Sequence, residues 1–239
     1  MSAPDCNPHK DLLERVLRDS VFDLWAMIDR ILTLPRLPHD RFCVCIFGSA
    51  RLLEDSPIYR DVQWLAQELT YLGCDIVTGG GPGLMEAANA GSVSADPENR
   101  TRSVGLRIAL PHEQGTNPYV EELHEHSNFF SRLHHFVLEA DAFVVMPGGI
   151  GTLLELVTIW QLLQVAKLPP TPLILVGSMW RDFLIWAHTA MAKGQPTLAS
   201  EADLEIPIAV EHIAEVLPLL RQAQARWQQS CPIMTTETL

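Results

Sequence analysis

Glu155 closes the segment Pro147-Gly148-Gly149-Ile150-Gly151-Thr152-Leu153-Leu154-Glu155, which follows the apolar run Ala142-Phe143-Val144-Val145-Met146 and opens a helical pattern. A strand, a glycine turn and a helix start in that order make an anion site. Glycines let the backbone turn sharply and approach a ligand, and the first amides of the helix lack internal partners and sit at the positive end of its dipole. Gly148, Gly149, Ile150, Gly151 and Thr152 are therefore predicted to bind a phosphate. Glu155, about one helical turn beyond Thr152, shares that face. A phosphate has no need of a carboxylate, but a group attached to the phosphate has. On the residues alone, Glu155 reads equally well as a solvated helix carboxylate.

A second cluster has the same form: Asp75-Ile76-Val77-Thr78 runs into Gly79-Gly80-Gly81-Pro82-Gly83-Leu84-Met85-Glu86-Ala87-Ala88-Asn89. In a parallel sheet both loops emerge at the carboxyl ends of strands, where open α/β folds bind ligands. Neither loop is a P-loop, since no Gly-Lys-Ser/Thr follows, and neither has Gly-x-Gly-x-x-Gly spacing. Gly80 and Gly81 are assigned to phosphate binding. Leu84 and Met85 are candidates for an apolar wall against a purine, with Glu86 and Asn89 as polar contacts, although Leu84 and Met85 serve equally as helix-packing residues. Ser49, after the first strand, is a candidate hydrogen bonder. Arg132 follows Phe129 and Phe130 early in a helix leading to the strand before the phosphate loop. It can reach the same crevice, or pair at the surface with a carboxylate such as Glu139.

Alternating strands and helices position these residues. Helical spacing predicts a helix over residues 9 to 33, ended by Pro35 and Pro38. Strands are predicted at 42 to 47, 75 to 78, 103 to 108, 122 to 126, 142 to 146, 173 to 176 and, weakly, 204 to 206. Helices are predicted at 57 to 72 (Ser56 as cap, Pro57 in the first turn), 83 to 94, 129 to 139, 152 to 166, 180 to 192 and 211 to 227. Residues 111 to 119 read as a loop. The fold class is α/β, a Rossmann-like, doubly wound, mostly parallel sheet with helices on both faces. The expected organisation is an N-terminal helical extension over 1 to 40, one nucleotide-binding domain over 41 to 228 and a disordered tail over 229 to 239.

The chain has 239 residues, a net charge of −12 and three lysines, Lys10, Lys167 and Lys193. That balance opposes nucleic-acid binding, which rests on basic side chains displacing counterions. The lysines also argue against pyridoxal-phosphate decarboxylation, which needs a Schiff-base amine: none lies near a glycine loop. The five cysteines form no Cys-x-x-Cys pair, and Cys43 and Cys45 share one face of a buried strand. With no signal-peptide pattern and no apolar stretch of about 18 residues, a cytoplasmic protein without membrane contact is expected. His124, His126, His134 and His135 cluster without a metal-ligand pattern, so no metal is expected. No Gly-x-Ser-x-Gly elbow is present.

The two glycine motifs, with Phe47-Gly48-Ser49-Ala50, Leu110-Pro111-His112-Glu113-Gln114, Asn117-Pro118-Tyr119 and Phe129-Phe130-Ser131-Arg132, resemble the LONELY GUY (LOG) family over about residues 42 to 190. The resemblance implies a Rossmann-like phosphoribohydrolase that cleaves the N-glycosidic bond of nucleoside 5′-monophosphates, cytokinin nucleotides included, to base and ribose 5-phosphate. It implies that Arg132 and Glu155 are the catalytic residues, that no cofactor is used, and that the protein is a homodimer or larger homo-oligomer. Two positions depart from the family pattern: Leu154 stands where an acidic residue is usual, and Leu133 where lysine usually follows the arginine. They leave a second reading, a nucleotide or phosphorylated-cofactor carrier or sensor of the same fold.

Overall fold

The computed structural model describes residues 15–20, 40–108 and 115–230. Residues 15–20 are helical; the rest of the helix expected at 9 to 33 lies outside the described residues, as do Leu110 to Gln114 of the family motif and the tail beyond Ser230. The elements below belong to one compact unit spanning residues 39–239.

That unit is a seven-stranded sheet. Its strands are β1 (Cys43–Phe47), β2 (Asp75–Thr78), β3 (Ser103–Ile108), β4 (Glu122–His126), β5 (Ala142–Val145), β6 (Leu173–Val176) and β7 (Ile208–Val210). Their order is β4-β3-β2-β1-β5-β6-β7, with every pairing parallel. The helices are α1 (Pro57–Tyr71), α2 (Leu84–Ala95), α3 (Phe129–Glu139), α4 (Ile150–Gln164), α5 (Ser178–Ala187), α6 (Glu201–Leu204) and α7 (Val216–Ser230). The strand order reverses between β1 and β5, the switch point at which open α/β sheets bind ligands.

Strand residues alternate between two cores. Val44, Ile46, Ile76 and Val144 pack with Val62, Leu65, Leu84 and Leu217 on one face. Cys45, Phe47, Val77 and Val145 pack with Phe136, Leu156, Ile159 and Trp180 on the other. Cys43 and Cys45 fall together in the second core, where burial pushes both thiols well above their ordinary range. The α1 helix starts as its residues dictate, with the Ser56 side chain accepting from the Tyr59 amide and Pro57 in the first turn. It presents Tyr59, Val62, Leu65 and Leu69 to the core. Burying a side chain such as Leu65 stabilises the fold by about 1.5–3 kcal/mol.

At the amino end of the sheet, buried Asp75 accepts from Arg41 Nε at 2.7 Å, Arg102 Nε at 2.7 Å and the Arg102 amide at 2.9 Å. Arg102 also reaches Glu139 at 3.3 Å, which fastens β2 and β3 to the end of α3.

Four elements depart most from expectation. The α4 helix begins at Ile150 instead of 152, because Gly149 itself takes the cap position and the glycine turn runs straight into the first helical turn. The helix expected over 180 to 192 ends as α at Ala187 and continues as a π turn over His188–Ala192. The strand expected at 204 to 206 is misplaced: a Ser200/Asp203 capping box winds Glu201–Leu204 into a helical turn, and pairing with β6 resumes at Ile208–Val210. The helix expected from 211 is a 3₁₀ turn at Ile213–Glu215 followed by α7, with Pro218 tolerated in the first turn and the helix continuing through residues 229 and 230. No helix among the described residues is long and apolar enough to cross a membrane.

Candidate active site

Three loops meet at the carboxyl ends of the strands, and Ser49 stitches them together. Its amide donates to Pro147 O at 3.1 Å, its carbonyl accepts from the Leu84 amide at 2.9 Å, and its hydroxyl accepts from the Arg51 amide at 3.1 Å. Glycine is required where these loops touch. Gly83 has φ +71° and lies against Ser49 O and Ala50, while any Cβ on Gly148 would collide with the Thr152 side chain.

The loops enclose a cleft of about 550 Å³, in the size range of small-molecule sites. It is lined by Gly48, Ser49, Ala50, Arg51, Met85, Arg132, Gly149, Ile150, Gly151, Thr152 and Glu155. The α4 helix opens on this cleft with no side-chain cap, so its first amides are left for a ligand. The buried Trp180 indole donates to Met146 O at 3.1 Å and holds the end of β5 beneath the turn.

Arg132 and Glu155 are adjacent. Arg132 Nη1 lies 3.2 Å from Glu155 Oε1, and the two side chains are only 11% and 10% exposed. Arg132 is held by three other contacts: its Nε donates to Leu106 O at 2.6 Å, its guanidinium stacks 5.0 Å from the Phe136 ring centre, and its other nitrogen lies over Gly79, where a Cβ would collide with it. Asn128 starts the helix that carries it, accepting from the Ser131 amide. Burial raises the Glu155 pKa to about 7, opposed by the nearby arginine charge. A carboxyl group poised there can exist in either protonation state at neutral pH.

The cleft thus collects Ser49, Met85, Arg132, Gly149, Ile150, Gly151, Thr152 and Glu155 from the expected site residues. The other expected site residues lie outside its lining. Gly80 has its amide engaged by Thr78 Oγ1 at 3.0 Å and packs against Gly105, and Gly81 lies behind Met85, so neither lines the cleft. Gly148 sits behind Thr152 and supplies space. Leu84 is fully buried in the first core. Glu86 is not among the lining residues, and its pKa is raised by partial burial and then by the Glu54 carboxylate. Asn89 is fully buried: its Oδ1 accepts from Thr78 Oγ1 at 2.7 Å and Asn117 Nδ2 at 3.0 Å, and its Nδ2 donates to Ser103 Oγ at 2.9 Å. Asn117 also holds Gly81 O and Gly80 O. Asn89 therefore braces the glycine loop from below instead of touching a nucleoside. Gly48, Ala50 and Arg51 line the cleft although the motif pointed only to Ser49; their place directly after a buried strand at the switch point was the available clue.

Neither described lysine lines the cleft: Lys167 follows α4 at its far end and Lys193 follows the π turn. Among the described residues, no group of three or more His, Cys, Asp or Glu side chains is placed to hold a metal ion. His126 instead bonds Ser131 Oγ and His135, each at 3.0 Å, and His124 bonds Glu122 at 2.7 Å.

The sequence model of a family described as "Possible lysine decarboxylase" matches residues 85–220. The rice protein named cytokinin riboside 5′-monophosphate phosphoribohydrolase LOG is 34% identical over 159 residues, covering 63% of this chain and 62% of the rice protein. The Arabidopsis thaliana enzyme LOG3, which has the same descriptive name, is 31% identical over 183 residues, covering 72% of this chain and 80% of that protein. The pyrimidine/purine nucleotide 5′-monophosphate nucleosidase of Escherichia coli K12 is 30% identical over 140 residues, which are 56% of this chain and 30% of that protein. The chain therefore spans less than two thirds of the rice relative and under a third of the bacterial one. Among solved structures, the molybdenum cofactor binding protein from Rippkaea orientalis superposes with a TM-score of 0.54 at 18% identity, covering 77% of this chain and 98% of that one, a likeness of fold alone. By its matched family model and its Arabidopsis relative, the chain belongs to the LOG family, whose sequence model still carries the decarboxylase description.

Proposed function

We propose that the protein hydrolyses the N-glycosidic bond of purine nucleoside 5′-monophosphates, AMP or an N6-substituted (cytokinin) relative, releasing base and ribose 5-phosphate without a metal or organic cofactor. The observation that carries this reading is the buried Arg132–Glu155 pair, 3.2 Å apart, beside an uncapped helix start. The amides of Gly149 to Thr152 receive the phosphate, which sets the ribose against Glu155. As the C1′–N bond breaks, positive charge develops on the sugar, and an ionised carboxylate in a water-poor site stabilises it. Water then gives its hydroxyl to C1′ and its proton to the departing base. Arg132, gripped by Leu106 O and Phe136, keeps Glu155 in place.

Incubating the protein with AMP and separating the products by chromatography tests this. Equal amounts of adenine and ribose 5-phosphate are expected. No base released from AMP, GMP, CMP or cytokinin monophosphates would contradict the reading and favour a carrier.

The reading extends to a cytoplasmic homodimer or larger homo-oligomer. Ile150 and Phe130, each 82% exposed, and half-open Leu154, Val157 and Phe129 leave α3 and α4 with more exposed apolar side chains than solitary surface helices need. A monomer by light scattering at micromolar concentration would contradict the assembly.

A further inference from the structure

We propose that Arg51 is the phosphate clamp of this cleft, the residue that makes it select nucleoside monophosphates over nucleosides; the proposal rests on the nucleotide reading above. The cationic side chains lining the cleft are Arg51 and Arg132. Arg132 is already committed: Nε to Leu106 O, Nη1 to Glu155. Its positive charge faces a carboxylate, which leaves little for a second anion. The Arg51 guanidinium, by contrast, has no hydrogen bond or ion pair with any other described residue, while its backbone is pinned to Ser49 Oγ, one residue pair from the Pro147 contact that leads into the α4 turn.

Charge balance requires such a group. A phosphate monoester carries about 1.5 to 2 negative charges at neutral pH. The start of α4 offers the equivalent of about half a positive charge. The chain as a whole has a net charge of −12, which repels the ligand. A planar guanidinium gripping two phosphate oxygens on the side opposite the helix amides supplies the remaining charge and fixes the orientation of the phosphate. The exposure of Arg51 suits a side chain that folds onto its ligand after the phosphate has reached the amides.

The test compares Arg51→Gln and Arg51→Lys with the unaltered protein in AMP hydrolysis, with ribose 5-phosphate and adenine as separate inhibitors. Arg51→Gln is expected to lower kcat/KM for AMP by about 10- to 100-fold, mainly through KM, and to weaken ribose 5-phosphate inhibition by a similar factor. Adenine inhibition and the melting temperature should stay near those of the unaltered protein, and Arg51→Lys should recover part of the loss. An unchanged KM with unchanged ribose 5-phosphate inhibition would overturn the proposal. So would a selective loss of adenine inhibition, which would make Arg51 a platform for the base. If the unaltered protein releases no base from AMP, calorimetric titration with ribose 5-phosphate decides instead. Binding weakened about tenfold by Arg51→Gln supports the clamp; equal binding, or none to either protein, overturns it.

Discussion

Asp75 and Glu155 are both buried carboxylates paired with arginine, at opposite ends of the same sheet, and their surroundings differ. Asp75 receives two guanidinium bonds and one backbone amide, all within 2.9 Å. Glu155 meets one arginine nitrogen at 3.2 Å, and burial drives its pKa up to about 7. A fully compensated charge at the amino end holds strands together. An under-compensated one at the carboxyl end stays available to a ligand, at a desolvation cost that the rest of the fold must offset. In physical terms, stability and chemistry are divided between the two ends of the strands.

Removing each carboxylate tests that division. Asp75→Ala leaves Arg41 and Arg102 facing a vacated, buried acceptor and should destabilise the protein by about 3–5 kcal/mol, read from the urea midpoint. Turnover of AMP by the folded fraction should change little; a turnover loss as large as that of a Glu155 variant would erase the distinction. Glu155→Gln keeps the shape and removes the charge. Turnover should fall by about a hundredfold or more, with AMP affinity little altered, because the interaction strengthens as the sugar becomes cationic.

Asn89 sharpens the comparison from between the two ends. Its amide links Thr78, Ser103 and Asn117 beneath the first glycine loop. Asn89→Leu should cost about 1–3 kcal/mol through the polar groups left unpaired, and should raise KM for AMP as the loop beneath Met85 relaxes. A variant with lowered turnover and unchanged stability would mean that Asn89 touches the ligand after all.

Much of this was legible in the residues. Short, mostly apolar runs and glycine turns marked six of the seven strands, and the second glycine motif placed Gly149 to Thr152 and Glu155 at the cleft, because a strand, turn and helix start leave few ways to point the first amides. The last strand was misread because Leu204 and Ile206 are apolar, while the Ser200/Asp203 capping box that winds Leu204 into α6 is a local hydrogen-bond pattern hidden from a hydropathy reading. The first glycine loop misled in another way. Gly80, Gly81 and Asn89 look like ligand contacts by type, yet their polar groups and spaces are taken up by residues distant in sequence, Asn117 and Gly105 among them. Spacing reveals which groups a turn presents; only tertiary packing reveals which of them are already used.

The pH dependence of kcat/KM for AMP, measured in parallel on the unaltered protein and on Glu155→Gln, tests the role of Glu155 most directly. A carboxylate must be ionised to stabilise a cationic sugar, and the Glu155 carboxyl loses its proton near pH 7. The unaltered protein should therefore lose activity as pH falls through about 7, in addition to any limb near 6 from the phosphate itself. The Gln variant should be slow throughout and keep at most the phosphate limb. A variant as fast as the unaltered protein, or one that retains the limb near 7, would contradict the assignment of Glu155 as the charge that stabilises the transition state.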